Sequence, residues 1–316
     1  METQNPILQE LGVHRNSVVQ SSMVKFLSIL IVGVSVQFFG ERIVSAEEIT
    51  REDAHAVAQK TLKTFMEEWN TGEDERLRTA MTFPFATFVS GAQVWVNEMP
   101  LDFSQRFDQM REKEGWASST FEHDSMEMYL HSEDKIHLTV DYNRFKADGE
   151  TYFTGKVFYI LTQKDGVWGI QLRSPLRDEL DGDARETAIA ESRDIVTGYM
   201  KAFNAGDADG TGEFLHYPHL FLINGIVAQA NDADSSSARP NFDRMRDSED
   251  WGFSTFDSME ASIVTEQKVH WEVTFGRWHP DGTRYMAVPA VWVTTKVDGQ
   301  WGIQFRSLNS AELRTK

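Results

Sequence analysis

The 316-residue chain has no cysteine, which excludes disulfides, thiolate metal sites and cysteine nucleophiles and leaves the redox compartment open. Basic charge is scarce. Lys and Arg number 31 against 49 Asp and Glu, for a formal net charge of −18 at pH 7. Such a surface repels phosphate backbones and anionic lipid, so nucleic acid is not an expected partner. Long hydrophobic runs are missing as well. Residues 27–39, LSILIVGVSVQFF, form an apolar run of 13, short of the roughly 20 residues that span a bilayer comfortably.

That run follows Lys25 and precedes Val44-Ser45-Ala46, a small-x-small pattern ahead of Glu47-Glu48. This is the layout of a secretory signal peptide, here residues 1–46, and translation beginning at Met23 would remove an unusually polar leader. The alternative is an uncleaved signal anchor that tethers the protein to a membrane. The first 46 residues are balanced in charge, Arg15, Lys25 and Arg42 against Glu2, Glu10 and Glu41, so the remainder keeps the −18. We expect an exported protein, periplasmic or secreted, with no stable membrane insertion after cleavage.

The rest of the chain repeats itself. Phe65-Met66-Glu67-Glu68-Trp69-Asn70-Thr71-Gly72 aligns with Tyr199-Met200-Lys201-Ala202-Phe203-Asn204-Ala205-Gly206 at an offset of 134, which also places Phe83-Pro84 on Tyr217-Pro218. Phe107, Met110, Arg111 and Trp116 then match Phe242, Met245, Arg246 and Trp251. Ser119-Thr120-Phe121 matches Ser254-Thr255-Phe256, and Trp168-Gly169-Ile170-Gln171 matches Trp301-Gly302-Ile303-Gln304. Matches in this order over a domain length mean duplication. The copies are residues 51–175 and 186–310, with the polar stretch 176–185 as linker.

Each copy reads helix first and sheet last. Ala58, Leu62, Phe65, Met66 and Trp69 recur at helical spacing before Gly72, as Ile195, Tyr199, Met200 and Phe203 do before Gly206. A short second helix follows, interrupted in the second copy by Gly210 and Gly212. A strand hairpin turning at Ser90-Gly91 or Asn224-Gly225 comes next, then a third helix over 103–113 or 242–248. Four strands close the unit, with Asp-Gly turns at 148–149, 165–166, 281–282 and 298–299. This succession predicts an α+β protein.

The long first helix ending in Trp69-Asn70-Thr71-Gly72 or Phe203-Asn204-Ala205-Gly206 resembles the nuclear transport factor 2-like superfamily, which includes the SnoaL-like polyketide cyclases. Pro84 or Pro218 ahead of the first strand, the Arg144-x-x-x-Asp148-Gly149 hairpin and the terminal Asp165-Gly166-Val167-Trp168-Gly169-Ile170 carry the same resemblance. It covers both copies and implies two tandem cone-shaped domains, each a curved, mostly antiparallel sheet packed against three helices with a pocket at its open end. Members often pair through the outer sheet face, so the two copies could form a pseudo-dimer within one chain. Enzymes of the superfamily use tyrosine with aspartates, histidine–aspartate pairs or aspartate–arginine–aspartate sets. None of these matches here residue by residue.

Candidate site residues follow from strand parity. Leu138, Val140, Tyr142 and Arg144 share one face of the fourth strand, as Trp271, Val273, Phe275 and Arg277 do in the second copy. An apolar face should be the inner one. Arg144 and Arg277 would then end an inward row, either holding an anionic ligand or paired with Asp108 or Asp124, and Asp243 or Asp257. His137 and His270 fall on the outer or interface parity. Trp116 and Trp251 cap the pocket or the core, and Tyr152 and Tyr285 can point a hydroxyl into the pocket.

The segment His216-Tyr217-Pro218-His219 looks chemical, but it lacks the helical spacing of zinc proteases and Pro218 prevents a helix that would align its imidazoles. The first copy has Thr82-Phe83-Pro84-Phe85 there, so His219 reads as packing at a helix-to-strand corner and His216 as the more open candidate. We expect no metal and no cofactor. The leading expectation is a protein that binds a small organic molecule, an anion being one option, with Arg144, Arg277, Trp116, Trp251 and Tyr152 as its ligand-binding residues. The alternatives are a cofactor-independent lyase, isomerase or hydrolase using His216, Tyr217, Asp257 and Tyr285 in the second-domain pocket, and a protein-interaction module. Mass spectrometry of the exported form should find Glu47 at the mature N-terminus; any other mature terminus overturns the cleavage assignment.

Overall fold

The structure, a computed structural model, describes residues 49–89, 93–223 and 225–309. The signal peptide over 1–46 with its start at Met23, the Ser90-Gly91 turn and Asn224 lie outside the described residues. Thr50 opens α1 (Arg51–Thr71), its hydroxyl accepting from the Asp53 amide, and Gly72 ends it in the left-handed region at φ 67°. Then come α2 (Asp74–Arg78), β1 (Met81–Val89), β2 (Gln93–Asn97), a 3-10 turn (Pro100–Asp102) and α3 (Phe107–Glu114). Strands β3 (Trp116–His131), β4 (Lys135–Lys146), β5 (Thr151–Lys164) and β6 (Val167–Leu176) complete the first domain. The second domain repeats the order: α4 (Gly182–Asn204), α5 (Ala208–Gly212), β7 (Leu215–Ile223), β8 (Ile226–Ala230) and α6 (Phe242–Glu249). Its last strands are β9 (Phe253–Val264), β10 (Lys268–Trp278), β11 (Arg284–Val297) and β12 (Gln300–Leu308).

Both sheets have six strands in the same order, β2-β1-β6-β5-β4-β3 and β8-β7-β12-β11-β10-β9. Among the described strands only the β1–β6 and β7–β12 pairs are parallel. The expected α+β class with two tandem, mostly antiparallel domains is what the chain adopts. Asp165-Gly166 and Asp298-Gly299 form two-residue hairpin turns in which all four residues have positive φ, the geometry that matches the strand twist. Two boundaries differ from expectation. Helix α3 begins at Phe107 rather than 103, because Phe103 is buried in the core while Asp74 accepts from Ser104 Oγ at 2.6 Å and from the Gln105 amide at 2.9 Å. Helix α4 begins at Gly182, inside the segment read as linker.

The inner face of each sheet packs on its long helix. In the first domain Leu138, Val140 and Tyr142 lie with Ala58, Leu62 and Phe65; in the second Trp271, Val273 and Phe275 lie with Ala188, Val196 and Tyr199. The repeated asparagine has a defined task. Asn70 Nδ2 donates to the Ser119 carbonyl and its Oδ1 accepts from the Ser119 amide, both at 2.8 Å, and Asn204 does the same with Ser254. Each helix end is thereby clamped to the start of β3 or β9.

The outer faces meet each other. Ala86, Phe88, Phe158, Ile160 and Leu172 of the first domain form one buried cluster with Leu220, Leu222, Val291, Val293 and Phe305 of the second. Polar groups within this layer are nearly symmetric. Lys135 Nζ donates to the Leu308 carbonyl at 2.6 Å, and Lys268 Nζ donates to Ser174 Oγ at 3.1 Å and the Pro175 carbonyl at 3.4 Å. His137 Nε2 pairs with Ser307 Oγ at 2.8 Å, whereas both ring nitrogens of His270 are buried without a partner against Phe158.

Burial holds these imidazoles neutral, with His270 pushed down to about 3 by desolvation and then by the Lys268 charge. The unfolded chain takes up that proton near pH 6.5 and the folded chain does not, so stability present above about pH 6.5 is lost as pH falls toward 3. His270→Leu should therefore lose roughly 2–3 kcal/mol less than the parent between pH 7 and 4.5. Denaturant unfolding at both pH values checks this, and equal losses would contradict it.

Candidate functional site

The site begins with an irregularity in the last strand of the second sheet. Val293 pairs with Phe305 and Thr294 with Ile303, so Gln304 is an extra residue in β12. On the other side Ile303 pairs with Leu215 and Phe305 with Leu220, so the four residues His216-Tyr217-Pro218-His219 stand opposite Gln304 alone. The Tyr217–Pro218 peptide is cis. Gln304 Nε2 donates to the Pro218 carbonyl at 3.3 Å, and Thr295 Oγ1 donates to Gln304 Oε1 at 2.8 Å. An extra residue reverses the side-chain alternation beyond it. Ile303 accordingly faces the helix, Phe305 faces the other domain, and Arg306 turns back into the cone.

Arg306 is 8% exposed and has no carboxylate within 4 Å among the described residues. Its partners are neutral: Nη1 donates to Tyr199 Oη at 2.6 Å and Nε donates to His219 Nε2 at 3.1 Å. The rings of Tyr199, Phe221 and Trp292 surround the guanidinium at 4.9, 5.0 and 5.5 Å. Because His219 Nε2 accepts, the ring proton is on Nδ1, which donates to the Ile303 carbonyl at 3.0 Å. Burial, reinforced by the Arg306 charge, holds the His219 pKa well below its ordinary value, so the ring stays neutral. Tyr199, having accepted from Arg306, keeps its own hydroxyl proton to donate.

Arg306 and Tyr199 line a cavity of about 160 Å³ whose other walls include Phe203, Phe275, Met245 and Trp292. Two further arginines line it, and both carry carboxylates: Arg277 pairs with Glu249, and Arg239 with Asp209. The first domain has the same bulge at Gln171 and the same inward arginine, Arg173, whose Nη1 donates to Gln105 Oε1 at 3.2 Å. Its cone interior is nearly filled. Trp69 lies 5.0 Å from the Arg173 guanidinium, and only about 10 Å³ remains among Phe65, Phe121 and Tyr159. The Nε of Arg173 is buried without a partner because Phe85 stands where the second domain has His219.

Each domain shows the helix-then-sheet order that the resemblance to the nuclear transport factor 2-like superfamily implies. No protein-family model matches the chain, and no curated protein matches it either. Among solved structures, a nuclear transport factor 2-like protein of unknown function from Pseudomonas putida is similar at 13% identity, over 42% of this chain and 97% of that one, with a TM-score of 0.33. A second, from Shewanella oneidensis, is similar at 14% identity over 38% of this chain and 98% of that one, with a TM-score of 0.31. A cystatin-like-fold protein of unknown function from Nostoc punctiforme is similar at 11% identity over 42% and 93%, with a TM-score of 0.34.

Within the two domains several candidate residues stand elsewhere than expected. The carboxylate facing Arg144 is Glu114 at 3.0 Å, and that facing Arg277 is Glu249; Asp108 and Asp243 pair instead with Arg111 and Arg246 on their own helices. Tyr152 and Tyr285 donate to the same Glu114 and Glu249 oxygens at 3.0 Å, and neither lines the Arg306 cavity. Burial and the glutamate hydrogen bond push the Tyr152 hydroxyl up to about 12 and the Tyr285 hydroxyl up as well. Trp116 and Trp251 are core residues. Their indoles donate to Ser119 Oγ and Ser254 Oγ at 2.9 and 3.0 Å and stack near Phe107 and Phe242, away from the cavities.

The four residues proposed for acid/base chemistry are not brought together. Asp257 is ion-paired with Arg284, and Tyr217 donates to the Gly212 carbonyl at 3.2 Å. His216 Nδ1 meets Thr295 Oγ1 at 3.0 Å, its ring lying where a Cβ on Gly302 would collide with it. Pro84 and Pro218, expected ahead of the first strand, lie inside β1 and β7, where the irregular pairing tolerates a residue without an amide proton. No group of three or more His, Asp or Glu is arranged to hold a metal among the described residues.

Arg306, Tyr199 and the positioning role of His219 were missed. Simple alternation from Ile303 puts Phe305 inside and hides the arginine; the available signal was that Arg173 and Arg306 continue the repeated Trp-Gly-Ile-Gln motif. His219→Phe copies the first domain's Phe85 and leaves Arg306 Nε buried without an acceptor, so it should cost about 1–3 kcal/mol. Denaturant unfolding at pH 7 checks this, and an unchanged midpoint would contradict the assigned hydrogen bond.

Proposed function

We propose that the chain is an exported small-molecule-binding protein whose second domain holds a small organic anion, with Arg306 as its anchor. The carrying observation is a guanidinium buried in an aromatic cavity without a carboxylate partner. A buried charge is expensive unless countered, and a ligand carboxylate supplies the counter-charge that the protein withholds. The guanidinium fork and the Tyr199 hydroxyl offer donors to one oxyanion, while Phe203, Phe275 and Trp292 suit an apolar body. Binding fits this arrangement better than acid/base catalysis, since His216, Asp257 and Tyr285 are engaged outside the cavity and Tyr217 is held by Gly212.

The fold by itself assigns no ligand, so the reading rests on the site. A signal peptide over residues 1–46 belongs to the same proposal, under which the ligand is met outside the cytoplasm. Thermal unfolding with benzoate and phenylacetate, against benzamide and phenylacetamide, tests the anion requirement. The carboxylates should raise the Tm of the parent protein and the amides should not, and Arg306→Gln should lose at least about tenfold in carboxylate affinity. Equal stabilisation by acid and amide, or undiminished binding in the variant, overturns the proposal.

A further inference from the structure

A second cleft differs from the first in chemistry and in what builds it. It encloses about 570 Å³ at the mouth of the first domain's cone, and one side is formed by Thr265, Gln267 and Lys268 of the second domain, around the β9–β10 turn. Its cations are Arg106, Arg144, Arg173, Arg177 and Lys268, and the acid lining it is Asp102. Arg144 is occupied by Glu114, and Asp102 accepts from the Met99 amide. The other four cations have no carboxylate within 4 Å among the described residues. Four uncompensated positive charges around one cleft run against the −18 of the chain.

The four are held there by the fold. Lys268 is 4% exposed, and its Nζ donates to Ser174 Oγ and the Pro175 carbonyl, both neutral acceptors. Burial and the neighbouring Arg177 charge lower its pKa to about 8, so it remains largely charged at neutral pH. Arg173 has a buried Nε without an acceptor. Arg106, at φ 58°, is a non-glycine residue in the left-handed region, a conformation that costs about 1 kcal/mol and needs the surrounding structure to maintain it. Flat apolar surface accompanies the charge: Phe103, Tyr142 and Phe153 line the cleft, and Trp95, 58% exposed, stands at its edge.

We infer that this cleft between the domains binds an aromatic organic molecule carrying two or more anionic groups, using Arg106 and Arg173 of the first domain, Arg177 of the connecting segment and Lys268 of the second domain. Charge separates it from the second-domain cavity, which offers one uncompensated cation in a smaller, more apolar space. Both domains must be present and docked, because the Lys268 side belongs to the second.

The test uses pyranine, a pyrene trisulfonate, followed by fluorescence anisotropy with the full mature chain, and neutral 1-hydroxypyrene as comparison. Pyranine should bind, more weakly at 300 than at 50 mM salt. Arg106→Gln and Arg177→Gln should each weaken it about threefold to tenfold, and the double variant more, as for lost charge-assisted contacts. Both arginines lie on the rim, so these variants keep the test valid if Lys268→Gln does not fold. Arg306→Gln should leave pyranine affinity unchanged, which separates this inference from the second-domain proposal. No pyranine binding, hydroxypyrene binding of equal strength, indifference to the double variant, or loss on Arg306→Gln would each overturn it.

Discussion

One extra residue in the last strand of each sheet, Gln171 or Gln304, orients the groups on both sides of it. A strand presents alternate residues to opposite faces, so an inserted residue exchanges the faces for everything that follows. Before the insertion Ile170 and Ile303 pack against the long helices; after it Leu172 and Phe305 join the layer between the domains, and Arg173 and Arg306 enter the cones. The same irregularity accommodates a cis Pro84 or Pro218 on the neighbouring strand. Without the bulge the arginines would sit in the apolar layer between the sheets, where a guanidinium has no neutral cage to receive it.

The duplicated domains have diverged around that shared arginine. In the first, Trp69 covers it and the interior is closed. In the second, Phe203 takes the place of Trp69 and leaves room, Tyr199 replaces Phe65 and supplies an oxygen, and His219 replaces Phe85 and supplies a nitrogen. These three exchanges replace an arginine packed under Trp69 and bonded to Gln105 with one bonded to Tyr199 and His219 at the wall of a cavity. The first domain's arginine instead faces the cleft at its mouth, where the second domain contributes Lys268. One duplication has thus yielded a smaller cavity lined by a single uncompensated cation and a larger cleft lined by several.

The layer between the domains is apolar with a few polar groups held at its edges and centre. Lys135 and Lys268 reach equivalent carbonyls on the opposite domain, which locks the register of one sheet on the other. The histidines between them are kept neutral by burial, as a charged imidazole there would lack both water and a counter-ion. Two domains joined in this way bring the β9–β10 turn beside the first cone, and the composite cleft follows from that docking.

The sequence by itself determined the duplication, the α+β class, the element order and the turns, because periodicity, Asp-Gly pairs and repeated motifs are local properties that survive in one dimension. Parity correctly sorted Leu138 and Val140 from His137, since β4 is regular through that stretch. Tertiary structure alone decided the site. The partner of Arg144 is a glutamate at the end of α3, brought near by helix packing, and the inward turn of Arg306 depends on a bulge that alternation does not reveal. His216-Tyr217-Pro218-His219 shows both limits. Comparison with Thr82-Phe83-Pro84-Phe85 identified His219 as a packing residue, but its bond to Arg306 joins residues far apart in sequence, and such a bond exists only once β7 and β12 lie side by side.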